Sequence, residues 1–186
     1  VLALLEPEDL LVVPHDGYGG SWGLFTALAR RRQFGLAVID MHDPIALGAA
    51  LARSPRLVWI ETPSNPLLRL TDIRLVVEAA HRAGALACVD NTFLSPALQQ
   101  PLALGADLVV HSTTKYLNGH SDVVGGAVVA RDPALLEQLA WWANALGLTG
   151  SPFDSFLTLR GLRTLSVRLE IGRASCRERV EISVVA

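Results

Sequence analysis

Short apolar runs bounded by Gly, Pro or Asp alternate along the chain with longer segments of helical spacing. Leu10–Pro14, Gly35–Asp40, Arg56–Glu61, Ala85–Asp90 and Asp107–His111 read as strands. Their apolar runs are continuous rather than alternating, as in parallel strands covered on both faces. Between them, Trp22–Arg32 spaces Leu24, Phe25 and Leu28 as a helix and ends in Arg30, Arg31 and Arg32, cations that suit a helix C-terminus. A second helix runs from about Pro44 to Arg53, with proline at its first turn. Thr71 or Asp72 caps a third that runs to Arg82, and Gly84 follows as its terminator. A short helix around Ala97–Leu104, a strand in Val123–Ala130, a helix over Pro133–Leu146 and another from Phe153 onward complete the pattern.

Strand and helix in this alternation predict an α/β fold, a mainly parallel sheet wrapped by helices. Ligands of such sheets lie off the carboxyl ends of the strands. The distinctive polar residues fall just there, in His15–Gly20, Glu61–Pro66, Asp90–Ser95 and His111–Asp122. Four such loops on one sheet edge are an active-site layout.

Composition narrows the field. Hydrophobic residues make up 51% and the mean hydropathy is +0.36, yet the apolar stretches are strand-sized, well short of the eighteen or more residues of a membrane span. A net charge of -2 gives no basic field for nucleic acid or an anionic membrane. No charged-then-apolar leader is evident, and the chain opens mid-pattern on Val1, which reads as truncation. Two cysteines, Cys88 and Cys176, make no disulfide framework, and Cys88 reads as a small buried hydrophobe; a reducing, cytoplasmic setting is expected. The five histidines show no metal spacing, so no metal is expected. His81 reads as a surface residue and His111 as hydrogen-bonded structure. Trp141 and Trp142 read as core or subunit-contact aromatics.

Chemistry concentrates in Val89-Asp90-Asn91-Thr92 and in His111-Ser112-Thr113-Thr114-Lys115-Tyr116. Pyridoxal 5'-phosphate (PLP) needs a lysine for its Schiff base and a partner for its pyridine nitrogen. Asp90 can keep that nitrogen protonated, Lys115 can supply the imine, and Ser112 and Thr114 can bond the phosphate. Taken singly, Asp90 reads as a turn or cap residue and Lys115 as a surface lysine. Together on one sheet edge, with hydroxyls beside the lysine, they favour the cofactor.

The segments Pro14-His15-Asp16-Gly17-Tyr18-Gly19-Gly20-Ser21, Glu61-Thr62-Pro63-Ser64-Asn65-Pro66, Val89-Asp90-Asn91-Thr92-Phe93 and Thr114-Lys115-Tyr116-Leu117-Asn118-Gly119-His120-Ser121-Asp122 follow in order. They resemble the Cys/Met-metabolism family of PLP enzymes, from about Leu10 to Glu170. The resemblance implies the large PLP-binding domain of the fold-type I (aspartate aminotransferase-like) enzymes, truncated at both ends. It also implies that Tyr18 stacks on the cofactor ring and aids proton transfer, and that Asn65 lies near the ring's phenolic oxygen. Asp90 then bonds the pyridinium, Ser112 and Thr114 hold the phosphate, Lys115 carries the cofactor, and Thr92 stands close behind. Without the family, Tyr18 reads as a turn aromatic and Asn65 as a turn asparagine.

Asn91–Leu98, Asn118–Asp122, Ala140–Gly150 and Phe153–Asp154 resemble the members that join an activated homoserine ester to cysteine. Other members are lyases and homoserine sulfhydrylases. The resemblance implies amino-acid substrates and a homotetramer built from dimers that share active sites. It also implies that the substrate-carboxylate arginine and the cross-subunit contacts lie outside this chain, so the piece alone is expected to be inactive and at most to bind cofactor. The organisation expected is a partial PLP-binding domain over 1–170, then a tail over 171–186 that resembles a translated sequencing adapter. Glu181 departs from that frame, which carries a stop there.

Overall fold

The computed structural model describes residues 1–172. It divides into two compact units, Val1–His111 with Val128–Thr149, and Ser112–Ala127 with the described residues from Gly150 onward. The expected tail lies almost wholly outside the described residues, as does Cys176.

Six strands form one sheet: β1 (Leu10–Pro14), β2 (Gly35–Ile39), β3 (Leu57–Glu61), β4 (Leu86–Asp90), β5 (Leu108–Ser112) and β6 (Gly126–Ala130), in the order β2-β1-β3-β4-β5-β6. The pairs β1/β2, β1/β3, β3/β4 and β4/β5 are parallel. Strands β1 and β3 are buried at every position, which explains their unbroken apolar runs. The α/β, mainly parallel architecture is the one expected.

The first unit carries α1 (Gly19–Arg30), α2 (Pro44–Leu51), α3 (Ile73–Arg82), a short α4 (Ser95–Leu98) and α5 (Pro133–Ala145). On one sheet face, Val12, Val58, Ile60, Ala87 and Val89 bury against Leu47 of α2 and Ile73, Val76, Val77 and Ala80 of α3. On the other, Leu11, Val13, Trp59, Cys88 and Leu108 bury against Phe25 of α1, with Leu135 and Leu139 of α5 partly buried beside them. Cys88 is a buried hydrophobe as expected, and its thiol pKa is pushed up to about 12 by burial.

Local rules account for most boundaries. Asp43 accepts the Ile45 amide at 2.8 Å ahead of α2, and Asp72 accepts the Leu75 amide at 3.1 Å ahead of α3. Gly84, at φ +76°, takes the left-handed step after α3 that only glycine takes cheaply. The single helix expected over Ala97–Leu104 is two pieces, α4 and a 3-10 turn at Pro101–Leu104. Gln100, which precedes proline, is held out of the helical region (φ -122°, ψ 82°). Helix α1 starts at Gly19, three residues before the expected Trp22, on glycines of low helix propensity. Strand β6 begins at Gly126 instead of Val123.

The second unit has a wide helical turn, Thr113–Leu117, followed by α6 (Pro152–Leu162) and further helical residues over 165–172. Leu117, Leu165 and Leu169 form its own small core. No helix among the described residues is long and apolar enough to cross a membrane.

Candidate active site at the carboxyl edge of the sheet

Strand order reverses at β1 and β3: the chain leaves β1 toward β2, then returns to lay β3 on β1's other side. In open parallel sheets such a reversal opens a crevice beyond the strand ends, and ligands bind there. The loops after β1 and β3 flank this crevice.

After β1 the chain turns through Gly17 to Tyr18, which stands directly before α1. Tyr18 is 48% exposed. Its ring folds over Gly20, where an added Cβ would lie 2.5 Å from the ring. After β3 the chain passes through Thr62–Pro66, with cis bonds before Pro63 and Pro66 and an exposed Asn65. Glu61 joins these loops. Its Oε2 accepts the Tyr18 amide at 2.7 Å and its Oε1 the Asn65 amide at 3.2 Å. The carboxylate is buried, and an added Cβ on Gly17 would stand 3.2 Å from Oε2.

Glu61 pairs in register with Asp90 at the end of β4, so the two carboxylates share a sheet face. Asp90 is half-buried; its Oδ1 accepts the Thr92 amide at 3.0 Å, and it forms no ion pair among the described residues. Burial, then Asp90 and Asp16, push Glu61 up to about 7 against the pull of the two amides. Asp16 is buried too, 3.7 Å from Arg69, and its Oδ2 has no hydrogen-bond partner. Three carboxyl groups crowd one strand edge with little cation to match them.

In the second unit, Ser112 ends β5 and Thr113–Leu117 follow as a turn kinked at Lys115 (φ -91°, ψ -121°). Lys115 is exposed. The Thr114 hydroxyl donates to the Gly125 carbonyl at 3.3 Å and accepts the Gly125 amide at 3.0 Å. Beneath the turn, Asn118 is fully buried and donates to Asp122 Oδ1 at 2.5 Å. Gly161 of α6 lies against the Asn118 carbonyl, where no Cβ fits, and Arg168 donates to the Gly161 carbonyl at 2.8 Å.

The structure therefore brings Tyr18 and Asn65 onto one carboxylate, with Asp90 beside it. It places Ser112 at the end of β5 and Thr114 and Lys115 in the turn that follows. Glu61 is the residue that sequence reasoning missed as a working group; an acid closing the buried strand Leu57-Val58-Trp59-Ile60-Glu61 was the available signal. His111 is buried and hydrogen-bonds the Asn91 backbone, as expected of a structural histidine, while its Nδ1 has no partner. Burial holds its imidazole below the usual range, opposed by Asp90. His81 is exposed as expected and lies 2.9 Å from Asp107. Trp141 is 63% exposed and α5 buries none of its residues, so the tryptophan pair is not core here. No cluster of metal-ligating side chains occurs among the described residues.

Each unit carries groups of the kinds a PLP group takes: a half-buried carboxylate without an ion-pair partner among the described residues in the first, and an exposed primary amine with a neighbouring hydroxyl in the second. Comparison with known proteins agrees. Residues 1–181 match the profile of the Cys/Met metabolism PLP-dependent enzymes, and the chain belongs to that family. It is 59% identical over 173 residues to the cystathionine gamma-synthase of Escherichia coli K12, across 93% of this chain and 45% of that protein. It is 46% identical to the cystathionine beta-lyase of Coxiella burnetii, across 91% and 44%. Among solved structures, the cystathionine gamma synthase of Xanthomonas oryzae pv. oryzae, in complex with aminoacrylate and cysteine, superposes with a TM-score of 0.88 at 72% identity, across 89% of this chain and 43% of that one. The chain thus spans less than half the length of these relatives. The family's cofactor is PLP and its fold is fold-type I.

Proposed function

We propose that the full-length protein is a PLP-dependent cystathionine γ-synthase that joins the γ-carbon of an activated homoserine ester to the sulfur of cysteine. In the overall change the ester Cγ–O bond breaks, a Cγ–S bond forms, and the acyl group leaves as a carboxylic acid that takes up the thiol proton. The reading is carried by Asp90, a half-buried carboxylate without an ion-pair partner among the described residues, at the strand edge where such a sheet takes its ligand. The 72% identity to a γ-synthase, against 46% to a β-lyase, favours replacement over elimination.

When bound, PLP supplies an electron sink for charge developed on the substrate. Lys115 would hold the cofactor through its Nζ, and the same amine would serve as the base that moves a proton from Cα to Cβ. Asp90 keeps the pyridine nitrogen charged. Ser112 and Thr114 bond the phosphate, for which the Thr114 hydroxyl turns its donor away from Gly125. Tyr18 covers the ring and Asn65 meets its phenolic oxygen. Lyase chemistry is the second reading, since relatives named cystathionine beta-lyase and gamma-lyase each match at 46% identity. A homotetramer of amino-acid-using subunits in the cytoplasm belongs to the same proposal.

The experiment is borohydride reduction of the full-length protein with PLP, then peptide mapping. A pyridoxyl group on Lys115 is expected; a label confined to another lysine rejects the assignment. Product analysis with acylhomoserine and cysteine separates cystathionine formation from elimination to a keto acid.

A further inference from the structure

We propose that Glu61 is a positioning residue for the cofactor site: its ionised carboxylate spans the β1/β3 crevice and sets the Tyr18 and Asn65 loops in place. The inference rests on the PLP reading only for its consequence, not for the contact itself. Two backbone amides from two loops converge on one side chain, at 2.7 and 3.2 Å. Each loop presents one of the side chains assigned to the ring. No side-chain cap starts α1; the Tyr18 amide is held by Glu61, while its carbonyl accepts the Trp22 amide at 3.0 Å. Losing the Glu61 carboxylate therefore releases both amides at once, while Ser64 still ties its own loop to Arg69.

A carboxylate offers an acceptor on each oxygen, whereas a carboxyl group or an amide turns one of them into a donor. Facing two N–H groups, the ionised form accepts both at full strength, whereas the protonated oxygen keeps only weak acceptor capacity and an amide nitrogen keeps none. The charged groups around it are Asp90 at the end of β4 and Asp16 in the turn after β1, with Arg69 and His15 reaching Asp16 at 3.7 and 3.9 Å. No cation reaches Glu61 itself among the described residues. Burial and the two neighbouring carboxylates place its titration near neutrality, at about 7.

The sign of the pH effect separates this role from a structural one. Because the folded-state value lies above the ordinary 4.5, protonation of Glu61 stabilises the fold. That contribution is complete below the ordinary value and is lost as pH rises through about 7. The loops behave oppositely, since both amides are held most strongly once the proton has left. A merely structural carboxyl would move fold and loops together.

Amide hydrogen exchange on the full-length protein without cofactor, corrected for intrinsic rates, reads the loops directly. Protection of the Tyr18 and Asn65 segments is expected to rise between about pH 6 and about pH 8 while the thermal midpoint does not. Glu61→Gln should abolish that rise and, with PLP added, weaken cofactor affinity about tenfold. Glu61→Asp, an anion one methylene shorter, should restore part of both. Flat or falling protection in the wild type overturns the proposal whether or not the variants fold, as does a folded Glu61→Gln protein with unchanged protection and affinity. If the wild type shows the amide response but takes up no PLP, the cofactor reading fails and the bridge stands.

Discussion

Asp90 and Lys115 sit in different units, and the neighbours of each decide what it can do. Asp90 has one oxygen held by the Thr92 amide and a like charge beside it in Glu61. A pyridinium would relieve that crowding, so the acid suits a cation that the ligand brings. Asp90→Asn in the full-length enzyme is expected to lower turnover about a hundredfold, on the order of 3 kcal/mol of lost charge stabilisation. PLP affinity should fall by less, because the imine and phosphate contacts remain. Steady-state kinetics at saturating PLP with a parallel binding titration checks both; near-normal turnover would give Asp90 another task. Asp90 and Ser112 close strands, and Thr114 and Lys115 follow one directly, so the sequence marks all four as candidates. Glu61 was not so marked, because its role lies in amides belonging to residues 43 positions before it and 4 after it.

Helix α3 is the element whose sequence and structure agree most closely. Ile73, Val76, Val77 and Ala80 recur at helical spacing and are all buried, and Asp72 caps the first turn. Asp72→Ala should destabilise the folded protein by about 1 kcal/mol, read as a lower urea midpoint with unchanged slope and an unchanged cofactor spectrum. Helix α1 shows the opposite case. Its first turn is Gly19-Gly20-Ser21-Trp22, which propensity assigns to a loop, and Phe25 is its one buried side chain. Packing of Phe25 on Trp59, ring centroids 5.1 Å apart, gives that helix a tertiary anchor that a local reading cannot see.

Over the molecule, the relatives are more than twice as long as the matched stretch, which covers 43 to 45% of those compared. Among the described residues, α5 buries none of its side chains, and Trp141, Leu148 and Phe153 are 63, 70 and 68% exposed. Apolar surface on that scale is normally covered by further protein. Residues 1–186 expressed alone, with excess PLP, are expected to make no cystathionine from acylhomoserine and cysteine. Positioning the substrate is worth several kcal/mol, and the arginine assigned to that task is expected outside this chain. A side-by-side assay with the full-length protein checks this; turnover within about tenfold of it would mean that the chain holds a complete site.

The strands, their mainly parallel direction and the polar loops at their carboxyl ends were determined by the sequence itself. Buried strands need continuous apolar residues, helices need a 3.6-residue period, and special turns need Gly, Pro or Asp, so each leaves a local trace. Even the split between α4 and the turn at Pro101 was written there, in a proline the helical reading passed over. Tertiary structure alone decided which strands adjoin, and hence that order reverses at β1 and β3. It also decided that Glu61 lies beside Asp90 and beneath Tyr18. Those facts depend on which faces bury against which helices, α2 and α3 on one side and α1 on the other. Burial then removes the water that would otherwise hold a carboxylate near its ordinary pKa, and so gives an ordinary glutamate its titration near neutrality.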